Sequence, residues 1–255
     1  MLMPFGNPML KLPSLRINGQ EFKKKDAAKG KISTVTASFI LFCVVMLTFA
    51  SVWNAFSDEL ASGDRESIQQ FLNFSFASGV LAFSLAFISY YKPTLSPYTA
   101  PFYAVFSAVF IAGLSLSAEF RFPGIALLTW VITATVFLLM LSGYKLGIIK
   151  ASKKYRAGVY AATASIALIY MVSIVLTIFG FKIPMIHDAG IGSILWSGFI
   201  ATIAALNLVV DFDNISRIDR DIPAYMHWRL ALGLTVTLIW LYFSILRLLV
   251  KIKRS

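Results

Sequence analysis

Charge is scarce in this chain. Asp, Glu, Lys and Arg make up only 14% of its 255 residues, where a soluble domain carries about 25%. With a mean hydropathy of +0.76, that excludes a water-soluble globule and a disordered chain alike. Cysteine is scarcer still. Cys43 stands alone inside an apolar run, so no intramolecular disulfide can staple a small secreted fold, and the residue reads as a small buried hydrophobe. Histidine occurs twice, at His187 and His227. Without a Cys/His cluster there is no donor set for a metal, and no histidine inside an apolar run could act as base for a serine such as Ser197. Glycine-rich phosphate loops are missing as well. A retinal would need a lysine buried within the last apolar run, whereas Lys251 stands at its end. These absences argue against an enzyme and against a resident cofactor.

What is there is hydrocarbon, at 58% of residues. Seven apolar stretches occur at 32–56, 68–91, 98–118, 123–148, 156–180, 190–212 and 227–250, each reaching the roughly 20 residues that a bilayer crossing requires. Backbone in lipid must satisfy its own hydrogen bonds, so each stretch predicts a helix. The alternating ten-residue segments of a membrane barrel are absent. The expected fold is therefore all-α, a polytopic membrane protein of seven transmembrane helices. A basic tail (1–31) precedes the helical domain (32–250), and a short basic tail (251–255) follows it. The first apolar run begins late and is too long for a signal-peptide core, so no cleavable leader is expected.

The net charge is +11, from 23 basic against 12 acidic residues. In a soluble domain this would suggest nucleic acid. Here the basic residues lie in tails and loops between apolar runs, so the expected partner is the anionic lipid of a bilayer and not nucleic acid. With the N-terminus in the cytoplasm, sixteen Lys and Arg fall on the inner side against Arg65, Arg121 and Lys182 outside, which satisfies the positive-inside rule. Seven crossings then leave Arg247, Lys251, Lys253 and Arg254 on the outer side, against that rule.

Carboxylates near membrane depth are costly and mark candidate sites. Asp211 and Asp213 close the sixth stretch, with Asn207 one turn before Asp211 on the same face. Asp213 is about 200° round the helix from Asp211, so the two converge on one ion only if the helix loosens. As interfacial groups they would instead pair with Arg217 or Arg220. Lys92, ahead of Pro93, marks a helix end. It is either a cationic partner for Asp211 or a snorkelling lysine. Arg247 reads as an interfacial anchor, and Trp130, Trp196, Trp228 and Trp240 as interface or packing aromatics.

The segment from Lys92-Pro93 through Ser96-Pro97 and Pro101 to Ala104 resembles the junction of the second and third spans in the bacterial branch of the Bax inhibitor-1/YccA family. Phe122-Pro123-Gly124-Ile125, Tyr144-Lys145-Leu146-Gly147, the run Leu208 to Asp213 and the final stretch from Gly233 to Arg247 are similar to that branch in order and spacing. So is Asn7-Pro8-Met9-Leu10. The resemblance implies seven helices with the last one central, in a bacterial inner membrane. It also implies a pH-modulated leak of calcium or another cation, with calcium as permeant ion and not as cofactor. In that mechanism carboxylates on the sixth and seventh helices share a proton, and a basic residue near the second helix latches them. Asp211 corresponds to the sixth-helix acid and Lys92 to the latch. The seventh-helix acid falls on Thr237, and Ser107 and Ser244 stand where the branch often carries glutamate. Asp211 and Thr237 cannot share a proton as two carboxylates would. The resemblance also implies an alternative, a non-conducting regulator that binds a membrane-bound AAA protease or another membrane assembly through its basic tail.

Overall fold

A computed structural model describes residues 33–62, 65–180, 190–217 and 223–254. The basic tail 1–31, His187, Arg220 and Ser255 lie outside the described residues. Seven helices account for nearly all of the rest: α1 (Thr34–Ser62), α2 (Arg65–Tyr91), α3 (Ser96–Arg121), α4 (Ile125–Lys145), α5 (Lys153–Ile178), α6 (Ile191–Ser216) and α7 (Ala224–Arg254). No strand occurs among the described residues. All seven helices are long and apolar enough to cross a membrane.

The helix ends follow from local chemistry. Lys92, just before Pro93, takes φ −120° and ψ 79°, since proline drives its predecessor out of the helical region. A short 3₁₀ turn, Pro93–Leu95, leads into α3, and Ser89 and Ser96 hydrogen-bond across it at 2.7 Å. Gly124, ahead of α4, takes φ 86°, a left-handed backbone that glycine adopts without penalty. Ser152 caps α5 by accepting from the Tyr155 amide at 3.2 Å, satisfying one of the helix's orphan donors.

The helices differ in how much they hide. In the most apolar stretch of each, 67% of α3, 56% of α6 and 50% of α7 is buried, against 18–28% for the other four. α3, α6 and α7 are thus the most buried of the seven. Elsewhere large apolar side chains face outward, among them Phe39, Phe83, Leu127 and Leu195, as a lipid-facing surface demands. Hydroxyls on that surface bond back to their own helices. Ser51, Ser84, Thr135, Ser165 and Thr202 each donate to the carbonyl four residues earlier, at 2.8–2.9 Å, which removes a free donor from the hydrocarbon.

Contacts divide the chain into two compact units. One comprises α1, α2, α3, the end of α6 from Asn214 and α7 to Ile239. Its α2 and α3 approach closely. A Cβ added at Gly113 would lie 2.0 Å from Ser75 Oγ, and one at Gly79 would lie 2.7 Å from the Phe110 ring. Small residues allow this approach, the usual way membrane helices gain packing contact. Phe71 and Leu116 pack with Trp53 and Phe56 of α1. Thr34 Oγ1 and His227 Nδ1 are 2.8 Å apart and join the first turns of α1 and α7. The other unit comprises α4, α5, α6 to Asp213 and α7 from Trp240. Its core is Ile166, Ile200 and Ile203, with Tyr170, Trp196 and Trp240 packed against them, and Trp130 meets Tyr242 at 4.6 Å between ring centroids.

Candidate functional site

The acidic end of α6 is built within the second of these units. The helix stays regular through Ser216, so it does not loosen at the acids, and Asp211 and Asp213 leave it in different directions. Neither reaches out to solvent: Asp211 is 1% exposed and Asp213 7%. Asn207 and Asn214 are buried beside them.

Asp213 is held by two neighbouring helices. Its Oδ1 accepts from the Tyr144 hydroxyl at 3.2 Å, and its Oδ2 pairs with Nη2 of Arg156. The sequence suggested Arg217 or Arg220 as partner. The structure shows Arg156 as a partner of Asp213, because the Ser152 cap starts α5 at Lys153 and brings Arg156, on the first turn, to the end of α6. Arg156 Nε also donates to the Ala151 carbonyl at 3.3 Å, which fixes the guanidinium's orientation. Arg217 is exposed. Phe212 packs against Phe137 and the ring of Tyr144, at centroid distances of 5.5 and 6.2 Å.

One and a half turns earlier, Asn207 Nδ2 donates to Thr163 Oγ1 of α5 at 2.8 Å and to the Ile203 carbonyl at 2.9 Å. Tyr155 adds a third tie, its hydroxyl donating to the Leu206 carbonyl at 3.0 Å. The first half of α5 is thus fastened to α6 by three polar contacts, Arg156–Asp213, Thr163–Asn207 and Tyr155–Leu206, each worth about 1 kcal/mol where water is excluded.

Other expected residues lie elsewhere. Lys92 is exposed at the end of α2, and its side chain has no hydrogen bond or ion pair to a described residue. Thr237 is buried and donates to the Gly233 carbonyl at 3.2 Å. Ser107 and Ser244 are buried and donate to Ala104 and Trp240 carbonyls at 3.2 and 2.8 Å. Where the resemblance implies acids, this chain carries hydroxyls bonded to their own helices. Among the described residues no group of three or more His, Cys, Asp or Glu could hold a metal ion.

Three residues escaped the sequence reading. Arg156 was counted only as a loop charge. Arg229, within the seventh stretch but not singled out there, lies inside α7 and is 5% exposed. Thr163 carried no signal, since its contact depends on how α5 is rotated against α6.

The family described as Bax inhibitor 1 like matches residues 15–254. No curated protein and no solved structure matches the chain.

Proposed function

The chain belongs to the Bax inhibitor 1 like family and is an integral membrane protein; from that premise we propose that it is a non-enzymatic cation-leak protein controlled at the acidic end of α6. The observation that supports this is the burial of Asp211 at the end of a membrane-spanning helix. A carboxylate there is costly to keep, and such groups mark ion pathways. Calcium is the proposed permeant ion, because hard divalent cations take carboxylate and carbonyl oxygens as ligands.

Asp213 supplies the control in this reading. Paired with Arg156 and bonded to Tyr144, it ties the end of α6 to α4 and α5. Protonation removes its charge and with it the Coulomb attraction to Arg156, so acid loosens the tie and the leak rises as pH falls. The bias of Lys and Arg along the sequence supports a cytoplasmic position for this end, in a bacterial inner membrane.

Calcium-indicator liposomes containing the full chain test the reading. Flux should exceed that of empty vesicles, and Asp211→Asn should change it. Vesicles no leakier than empty ones would refute conduction. The hydroxyls at Ser107, Thr237 and Ser244 favour a second reading, a regulator that binds a membrane protease or other assembly. In that case the chain co-purifies with its partner, and deleting residues 1–31 weakens the association.

A further inference from the structure

Away from the acidic end of α6, the unit formed by α4, α5, most of α6 and the end of α7 contains a recess of a different kind. On α7, Trp240, Phe243, Ser244 and Arg247 follow one another at spacings of three, one and three residues, and so share one face. With Ser197 and Ile200 of α6 and Tyr170 of α5 they line a cleft of about 170 Å³. Two helical turns separate Trp240 from Arg247, so the cleft runs about 10 Å along α7.

The walls decide what can fill it. Ile200 is 4% exposed and belongs to the Ile166–Ile200–Ile203 core, against which Trp240 packs. Ser197 donates to the Ser193 carbonyl at 2.9 Å and Ser244 to the Trp240 carbonyl at 2.8 Å. The Tyr170 hydroxyl accepts from Arg247 Nη1, and the guanidinium carbon lies 5.2 Å from the centre of that ring. A water needs two to four polar partners, and hydroxyls turned back onto their own helices make poor ones. An apolar cavity of about 150 Å³ stays dry and takes benzene, so hydrocarbon is the filling that this volume and lining suit.

The rim opens on lipid. Every lining residue falls within a membrane-spanning stretch of α5, α6 or α7. Tyr170 and Phe243 are half-buried, while Met171 beside the one and Phe199 on α6 are exposed. The cleft is therefore continuous with the surface that the protein shares with the bilayer. We propose that one acyl chain of a bilayer phospholipid lies in this cleft along Trp240 and Ile200, held by its hydrocarbon and not by its headgroup. Moving a chain from lipid to protein brings no hydrophobic gain. The drive is dispersion, since an empty cleft would deprive Trp240 and Ile200 of packing on one side. Such occupancy does not depend on conduction.

Phospholipid brominated along its chains tests this, because bromine quenches tryptophan on contact. The full chain is reconstituted in phosphatidylcholine vesicles with plain or brominated chains, and Trp240 emission is read as the difference between the natural chain and Trp240→Phe. That emission should fall about twofold, since a chain in van der Waals contact lies about 4 Å from the ring. Brominated phosphatidylglycerol should quench it equally. Ser197→Leu and Ser244→Leu fill the cleft from different helices, and each should restore most of the emission; should one fail to fold, the other still decides. Ser165→Leu, at an exposed site on α5, should change nothing. Unquenched Trp240 in the natural chain, or quenching that persists in the folded filling variants, would overturn the proposal. Quenching severalfold stronger with one headgroup than the other would show recognition of the head and overturn it as well.

Discussion

Arg156 and Asp213 form an ion pair between the first turn of α5 and the end of α6, and Tyr144 of α4 bonds to the same carboxylate. Three helix ends thus meet at one acid. The side chains of the pair are 22% and 10% exposed, so solvent weakens it relative to a fully buried one.

Breaking that pair from either side leaves a charge without its partner. Asp213→Asn and Arg156→Gln should each lower stability by about 2 kcal/mol, below the range for fully buried pairs because of the partial exposure. The double variant should lose less than the sum of the two. Thermal unfolding in detergent, arranged as a double-mutant cycle, reads the coupling directly.

The same acid gives the proposed pH response its sign. If protonation of Asp213 releases the tie, Asp213→Asn should leak at neutral pH as the natural chain does in acid, and its flux should no longer respond to pH. A variant whose flux still rises on acidification places the sensor on another group. The measurement is calcium flux into liposomes across a pH series.

Asn207 and Thr163 make a contact that needs both partners. Thr163→Val should cost about 1 kcal/mol by depriving a buried amide of its acceptor. Asn207→Leu should cost more, since it also leaves the Thr163 hydroxyl facing an apolar group. Combining the two should recover part of the loss, visible in the unfolding midpoint.

Two glycines should respond oppositely to alanine. At Gly113 the new methyl would collide with Ser75, and overpacking of this kind costs about 1–3 kcal/mol. Ser75→Gly should relieve it. At Gly158, inside α5, nothing lies within 4 Å of an added Cβ, so Gly158→Ala should be neutral or stabilise by about 0.5–1 kcal/mol through helix propensity.

The seven crossings were legible because spanning length in an apolar code is hard to mistake. The stretch expected at 98–118 is α3, Ser96–Arg121, and that at 190–212 is α6, Ile191–Ser216. Errors fell at the ends, where polar residues look like loops although a helix continues. α7, expected from 227, starts at Ala224 in this way. Arg156 could have been found from Ser152, whose capping position fixes where α5 begins. Which helices are most buried could not be read from the apolar pattern, since apolar residues run all round each one and identify no inward face. The acids themselves were visible, being rare charges in hydrocarbon. Their partners were not, because Tyr144, Arg156 and Thr163 come close only once helices far apart in sequence are packed.

The self-bonded hydroxyls on the outward faces carry a practical corollary. A serine whose hydrogen already rests on its own carbonyl is, to a neighbouring fatty acid, little different from alanine. A saturation scan should therefore find Ser51, Ser84 and Ser165 indifferent to that exchange, and the map of silent positions would trace the outline of the protein's lipid annulus.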